Sequence, residues 1–325
     1  MLTLAVPAPG PSRGLVRLRD ARPAYRPYRA TVVALVRLTP HFIRVTFTGI
    51  DLDVFGTDGQ DQRLKIVLPF AGTISDIGAD DSATIRDGSW YSRWRALPDE
   101  LRNPFRTYTV RAVRPGLAEV DVDMVSHGDA GPASRWLASV RLGDEVVIVG
   151  PDSQSIDSGI GIDWHPGDAT QLLLAGDETA APAICSILES LPSGRTAQAF
   201  IEIPDAADAL PVRLADGATI TWLARGARPI GALLESVVRS WVADNPAVIR
   251  GALAASAQQL DDIDVDAELL WDSPNAPRTS DFYAWLAGEA GVIKTLRRFL
   301  VSETGVDRKA VAFMGYWRLG KTEAQ

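Results

Sequence analysis

The sequence predicts a two-part chain: an antiparallel β-barrel, then an α/β unit on an open, mainly parallel sheet with flanking helices. Three observations predict it. Residues 28–149 break into short β-branched and aromatic runs punctuated by Gly, Pro and Asp turns. Residues 151–168 are rich in Ser, Asp, Gly and Pro. From Gln171 onward, apolar strands alternate with helical periodicity. The expected organisation is a tail over 1–24, the barrel over 25–152, a linker over 153–168 and the α/β unit over 169–325.

In the first part, Tyr28–Val36 and Phe42–Thr48 read as strands, with Arg63–Pro69 a third. Ala71–Gly88, polar and rich in Gly and Asp, reads as a loop insertion. Tyr108–Val113 and Leu117–Val125 are strands joined by Arg114-Pro115-Gly116, and Val140–Val149 closes the region. In the second part, Gln171–Ala175, Ala197–Ile203, Ile220–Ala224, Asp281–Ala287 and Val311–Trp317 read as strands. Ala180–Leu191, Gly231–Ala243 and Gly288–Ser302 read as helices. Val248–Asp272 is acidic and Ala-rich and takes no assignment.

Composition removes several function classes. No apolar run is long enough to cross a bilayer, and Met1–Arg19 lacks a signal-peptide pattern, so a cytoplasmic protein is expected. Cys185 is the only cysteine, which excludes an internal disulfide and a cysteine-built metal or iron–sulfur site. His41, His127 and His165 lie far apart, without ligand spacing. Residues 1–150 carry 19 basic and 17 acidic side chains, residues 151–325 carry 14 and 24, and the whole has a net charge of −8. An acidic chain without a basic tract argues against nucleic acid as a partner. The acidic second half reads as a solvated surface.

Three clusters carry chemistry. The first is Arg106-Thr107-Tyr108-Thr109-Val110-Arg111, where alternation puts Arg106 and Tyr108 on one side of a strand and Thr109 and Arg111 on the other. A flavin site needs such a cation, aromatic ring and small hydroxyl. The second runs from Asp123, Met124 and Val125 through His127 into Gly131-Pro132-Ala133-Ser134. A strand entering a Gly-rich turn and then a helix start offers free backbone N–H groups to phosphate. The third is Gly176-Asp177-Glu178-Thr179-Ala180, after the first strand of the α/β half, where doubly wound sheets bind nucleotides. It is no Gly-x-Gly-x-x-Gly fingerprint. Asp177 and Glu178 would repel a pyrophosphate if aimed at it, and capping the helix is their other reading.

In this order, with Tyr283–Glu289 and Gly315–Gly320, the clusters resemble the siderophore-interacting protein family of ferredoxin–NADP reductase-like flavoproteins, over about Tyr28 to Gly320. The resemblance implies FAD on the barrel, NADH or NADPH on the α/β unit, and reduction of a ferric siderophore to release iron. Carried over by position, Arg106 pairs with pyrophosphate, Tyr108 packs on the flavin and Thr109 bonds near its N5, the last two being the catalytic pair. Thr107, Arg111, Asp123, Met124, Val125 and His127 line the flavin. Gly131, Pro132, Ala133 and Ser134 hold its phosphates. Asp177, Glu178, Thr179 and Ala180 meet the nicotinamide nucleotide, and Gly288 and Glu289 face its ring. Trp317, with Tyr316, covers the ring or is a core aromatic. Glu202, ending the second α/β strand, sits at the usual ribose-reading position and leans the preference to NADH, with Arg225 and Arg228 pulling the other way. Lys65, Arg135 and Arg318 form a basic rim for the siderophore. The alternatives are a flavin reductase serving another redox protein, and a flavin-bound siderophore carrier.

Overall fold

Strand β1 (Tyr25–Arg37) is long enough to serve two neighbours. Its first half pairs antiparallel with β7 (Glu145–Pro151) and its second half with β2 (Phe42–Thr48). The computed structural model describes residues 18–70, 72–126, 131–260, 263–265, 268–274 and 280–320. With β3 (Arg63–Val67), β4 (Phe105–Thr109), β5 (Ala112–Arg114) and β6 (Glu119–Val125), these strands form a seven-stranded sheet in the order β4-β3-β7-β1-β2-β6-β5. The two ends of that order are one stretch of chain. β4 pairs with β3, the Val110 amide bonds Gln62 O at 2.8 Å, and the Arg111 amide then crosses to Asp121 O at 3.0 Å before β5 joins β6. Passing from 109 to 111 therefore carries the chain from one end of the strand order to the other, which curls the sheet toward a barrel.

Alternation sends Val45, Phe47, Leu64, Ile66, Val120, Val122, Met124 and Ile148 inward. Helix α3 (Pro132–Ser139) packs on this core with Trp136, whose ring stacks on Phe47 at 6.4 Å. The stretch expected to be a bare loop insertion folds instead. Asp81 caps α1 (Ser82–Asp87), Gly88 ends it at φ 72°, and α2 (Trp90–Arg95) follows. Ile77, Ala79 and Trp94 then bury against Val67, Val147 and Val149, a small satellite core.

The second sheet has the order β10-β9-β8-β12-β13-β11, formed by β8 (Gln171–Gly176), β9 (Thr196–Ile203), β10 (Ala218–Ala224), β11 (Trp271–Asp272), β12 (Phe282–Glu289) and β13 (Val311–Trp317). All are parallel except β11, and every residue of β12 is buried, as a strand covered on both faces requires. Helix α4 (Ala181–Glu189) packs on one face. Helices α5 (Ala232–Asp244), α6 (Pro246–Gly251) and α7 (Ala290–Arg297) cover the other. The unassigned 248–272 stretch thus contributes part of α6 and the edge strand β11. Because β8 runs on to α4 and its neighbour β12 to α7, the switch point of the sheet lies between β8 and β12.

The two sheets are joined through buried polar groups. Asp208 accepts from Thr39 Oγ1 at 2.9 Å, the His41 amide at 2.9 Å and the Asp205 amide at 3.1 Å, and pairs with His41 Nδ1 at 2.7 Å. The connecting stretch is packed rather than loose, with Ser155, Ser158, Asp163 and Trp164 buried. Burial alone would raise the Asp208 pKa, but hydrogen bonds from His41 and Thr39 outweigh it and hold the carboxyl below its ordinary value. Asp208→Ala is expected to cost about 3 kcal/mol of unfolding free energy at pH 7. A group with a depressed folded-state pKa stabilises above its unfolded value, so the gap between parent and variant should close as pH falls below about 4. Urea unfolding at pH 7 and pH 3 checks both.

Candidate functional site

On the barrel side, the β3–β4 register sets Arg63 opposite Thr109, Leu64 opposite Tyr108, Lys65 opposite Thr107 and Ile66 opposite Arg106. Tyr108 is half-buried against the barrel core, and Thr109 is buried. The Arg106 guanidinium donates to Phe105 O at 2.7 Å. Lys65 Nζ reaches Thr107 Oγ1 at 3.2 Å and lies 4.8 Å from the Phe105 ring centroid. Of the other basic residues, Arg135 is exposed on α3, and Arg318 donates to Glu268 O at 3.0 Å.

Strand β6 leads toward α3. Met124 faces the barrel core and Val125 packs outward against the α/β half. Helix α3 starts at Gly131, whose φ of 139° suits glycine, with Pro132 in its first turn and no capping side chain among the described residues. The Ala133 and Ser134 amides therefore lack intrahelical partners, and Ser134 is buried beside them. An anionic group fits this turn. His127 lies outside the described residues.

Arg111 and Asp123, both expected to line a flavin, have other partners. Asp123 takes a fork from Arg44 at 2.7 and 2.8 Å, while Arg111 forks onto Glu189 of α4 at 2.8 and 2.9 Å and sits 3.4 Å from Asp123. This chain of charges spans the two halves beside a cleft of about 440 Å³ that Leu210 and Arg213 also line. Past the closure point Arg111 faces the second half, and with Asp123 of β6 it serves the interface.

In the α/β half, the carboxylates expected to meet a nucleotide point inward. Asp177 is buried and accepts from Thr179 N at 2.9 Å, Thr179 Oγ1 at 2.5 Å, Glu289 N at 2.7 Å and Trp317 Nε1 at 2.8 Å. Burial and the neighbouring Glu178 push its pKa above the ordinary carboxylate range. Glu178 is forked by Arg225 at 2.9 and 3.0 Å. The ribose-reading role expected for Glu202 is corrected as well. It is fully buried and accepts from the Gly231, Leu233 and Leu234 amides at 2.8, 3.1 and 3.2 Å, closing the N-terminus of α5. Arg225 Nη1 joins it at 3.2 Å. A glutamate at that helix start satisfies orphan amides and is out of reach of any ligand. Ala180 is buried too, its amide bonded to Asp177 O at 3.0 Å. The structure thus gathers Asp177, Thr179, Gly288, Glu289 and Trp317 into one cluster.

A second junction escaped the sequence reading. Buried Asp61 accepts from Trp285 Nε1 at 3.0 Å and from the Asp163 and Trp164 amides, the closest contacts being 3.1 and 3.2 Å. Asp163 pairs with Arg63 at 3.0 Å, and Arg63 lies over Trp271, which stacks on Tyr316. Burial and the Asp163 charge push the Asp61 pKa up to about 6. Its partners are 102 to 224 residues away in sequence, so no local pattern could announce it.

Comparison with known proteins follows the same division. A family profile described as a siderophore-interacting FAD-binding domain matches residues 31–155, and one described as siderophore-interacting protein matches 169–320. An uncharacterised protein of Mycobacterium tuberculosis is 32% identical over 304 residues, covering 92% of this chain and 93% of its own. Ferric vibriobactin reductase ViuB of Vibrio cholerae is 26% identical over 88% of this chain and 87% of its own. The crystal structure of a siderophore utilization protein from T. fusca superposes with a TM-score of 0.66 at 25% identity, covering 94% of this chain and 97% of that one.

Glu202→Ala provides a test of the revised geometry. It should lower stability by about 2–4 kcal/mol, because three amides and one arm of Arg225 lose their acceptor. Thermal unfolding gives the readout.

Proposed function

The chain belongs to the siderophore-interacting protein family, and within it we propose that this protein is an FAD-dependent reductase that oxidises NADH or NADPH and reduces ferric siderophores, releasing ferrous iron in the cytoplasm. The observation that carries the reading is the closing segment of the barrel. Arg106, Tyr108 and Thr109 sit on β4, at the closing segment, and β6, two strands further on, runs toward the Gly131–Ser134 turn. A cation, an aromatic ring, a hydroxyl and an open helix start meet the needs of a flavin dinucleotide.

Bound FAD supplies the conversion of a two-electron donor into one-electron steps. The chain's own residues do the rest. Arg106 pairs with the pyrophosphate, and the Ala133 and Ser134 amides bind phosphate oxygens beside Gly131 and Pro132. Tyr108 packs on the ring system, and the Thr109 hydroxyl hydrogen-bonds near N5. Thr107, Met124 and Val125 border the ring. Gly288 and Glu289, at the end of β12, face the nicotinamide ring. Lys65, Arg135 and Arg318 attract an anionic chelate. No helix among the described residues is long and apolar enough to cross a membrane, and the lone Cys185 is a buried thiol. The test is anaerobic flavin reduction by each nucleotide, followed by addition of a ferric siderophore with a ferrous-iron chelator present. A colourless protein that takes up no FAD overturns the reading.

Two variants separate binding from architecture. Arg106→Ala should weaken FAD by about 1.5–3 kcal/mol, the loss of a charge-assisted contact. Arg111→Ala should instead lower thermal stability and leave FAD affinity within about threefold, its partners being Glu189 and Asp123. Equilibrium dialysis and calorimetry resolve the pair.

Neutralising Lys65, Arg135 and Arg318 together should slow flavin reoxidation by an anionic ferric siderophore at low salt, with little effect on flavin reduction. Stopped-flow traces of the two half-reactions measure each separately.

A further inference from the structure

The switch point between β8 and β12 is where an open α/β sheet takes its ligand, in the crevice outside the strand ends. In this protein one side chain spans that point. Asp177 leaves the end of β8. Its Oδ2 accepts from the Glu289 amide at the end of β12, at 2.7 Å, and from the Trp317 indole N–H at the end of β13, at 2.8 Å. Its Oδ1 is held by the Thr179 amide and hydroxyl, so the carboxylate cannot rotate.

The surrounding backbone is shaped to admit this carboxylate. A Cβ on Gly288 would lie 2.6 Å from Asp177 Oδ2, and Gly288 has φ 152°. The β12–β13 register slips at this point, pairing Gly288 with Gly315 and then Glu289 with Trp317. Such a bulge re-aims a side chain at the end of a sheet. Glu289 completes the arrangement. Its Oε2 caps α7 through the Val292 amide at 3.0 Å, and its Oε1 accepts from the Leu319 amide at 3.1 Å. The segment after β13 is therefore tied down twice, by its indole and by its backbone.

We propose that Asp177 is a positioning residue for the electron donor: it fixes the half-buried Trp317 ring and the Gly288–Glu289 backbone as the wall against which the nicotinamide ring docks. The inference rests on the reductase reading above. Asp177 acts through Trp317 and the β12 end, both of its oxygens being engaged by protein donors. With four donors on two oxygens, the side chain is rigid enough to set a wall, and the asparagine substitute can accept on one atom only.

Asp177→Asn should raise the nucleotide concentration giving half-maximal anaerobic flavin reduction by about tenfold or more, with a smaller change in limiting rate. Trp317→Phe removes only the indole donor and should move the same parameter in the same direction. Combining the two should add less than the sum, because both break one contact. The independent readout is the emission of Trp317 in FAD-free protein, taken as the difference between each protein and its Trp317→Phe counterpart. That difference should move to longer wavelength in Asp177→Asn, as the indole loses its fixed partner and meets more water. Unchanged emission, or fully additive variants, overturns the proposal. If neither NADH nor NADPH reduces the parent's flavin, the functional reading fails, while the emission comparison still decides whether Asp177 holds Trp317.

Discussion

How the two sheets sit against each other depends on carboxylates buried between them. Asp208 and Asp61 each bring a charge into a region closed to water, a cost that only fixed donors offset. Their surroundings move them in opposite directions. Asp208 meets three donors and the His41 ring, and its carboxyl is held low. Asp61 also meets donors but faces Asp163, and its pKa is pushed up to about 6. The first contact strengthens as pH rises through the acid range. The second favours the protonated form, so the stability it contributes is complete below about pH 4 and declines as pH rises through about 6.

The architecture was legible in the sequence because each half obeys one period. Strand alternation in the barrel and the alternation of strand with helix after Gln171 both survive in the structure with small shifts of boundary. The misjudged stretch was 71–88, where composition pointed to a loop. Asp81 and Gly88 were the missed signals, an N-cap and a left-handed stop around six residues. The turn at 109–111 was hidden for another reason. One continuous β-rich run pairs with two different strands, and only the three-dimensional closure reveals where it changes partner.

The site divides in the same way. Motif positions such as Gly131 and Gly288 could be read because their backbone geometry demands glycine. Acidic positions could not. Asp177, Glu178 and Glu202 sit where a doubly wound sheet exposes ligand-binding groups, yet each turns inward to an amide, an indole or Arg225. A carboxylate at a helix start is drawn equally by a ligand's hydroxyl and by the protein's own free amides, and sequence does not say which is nearer.

This inward turn changes the meaning of the charge imbalance. The second half carries ten more acidic than basic side chains, which read as a solvated acidic surface. Yet Asp152, Asp163, Asp177, Glu178, Glu202, Asp208 and Glu289 are buried there, several of them against amides rather than cations. Amide and indole dipoles lower the energy of such a buried carboxylate without removing its net charge, and salt cannot reach it to screen it. The acidity of the second half is therefore in good part a structural device: Glu202 closes the start of α5, and Asp177 ties the ends of β8, β12 and β13 together.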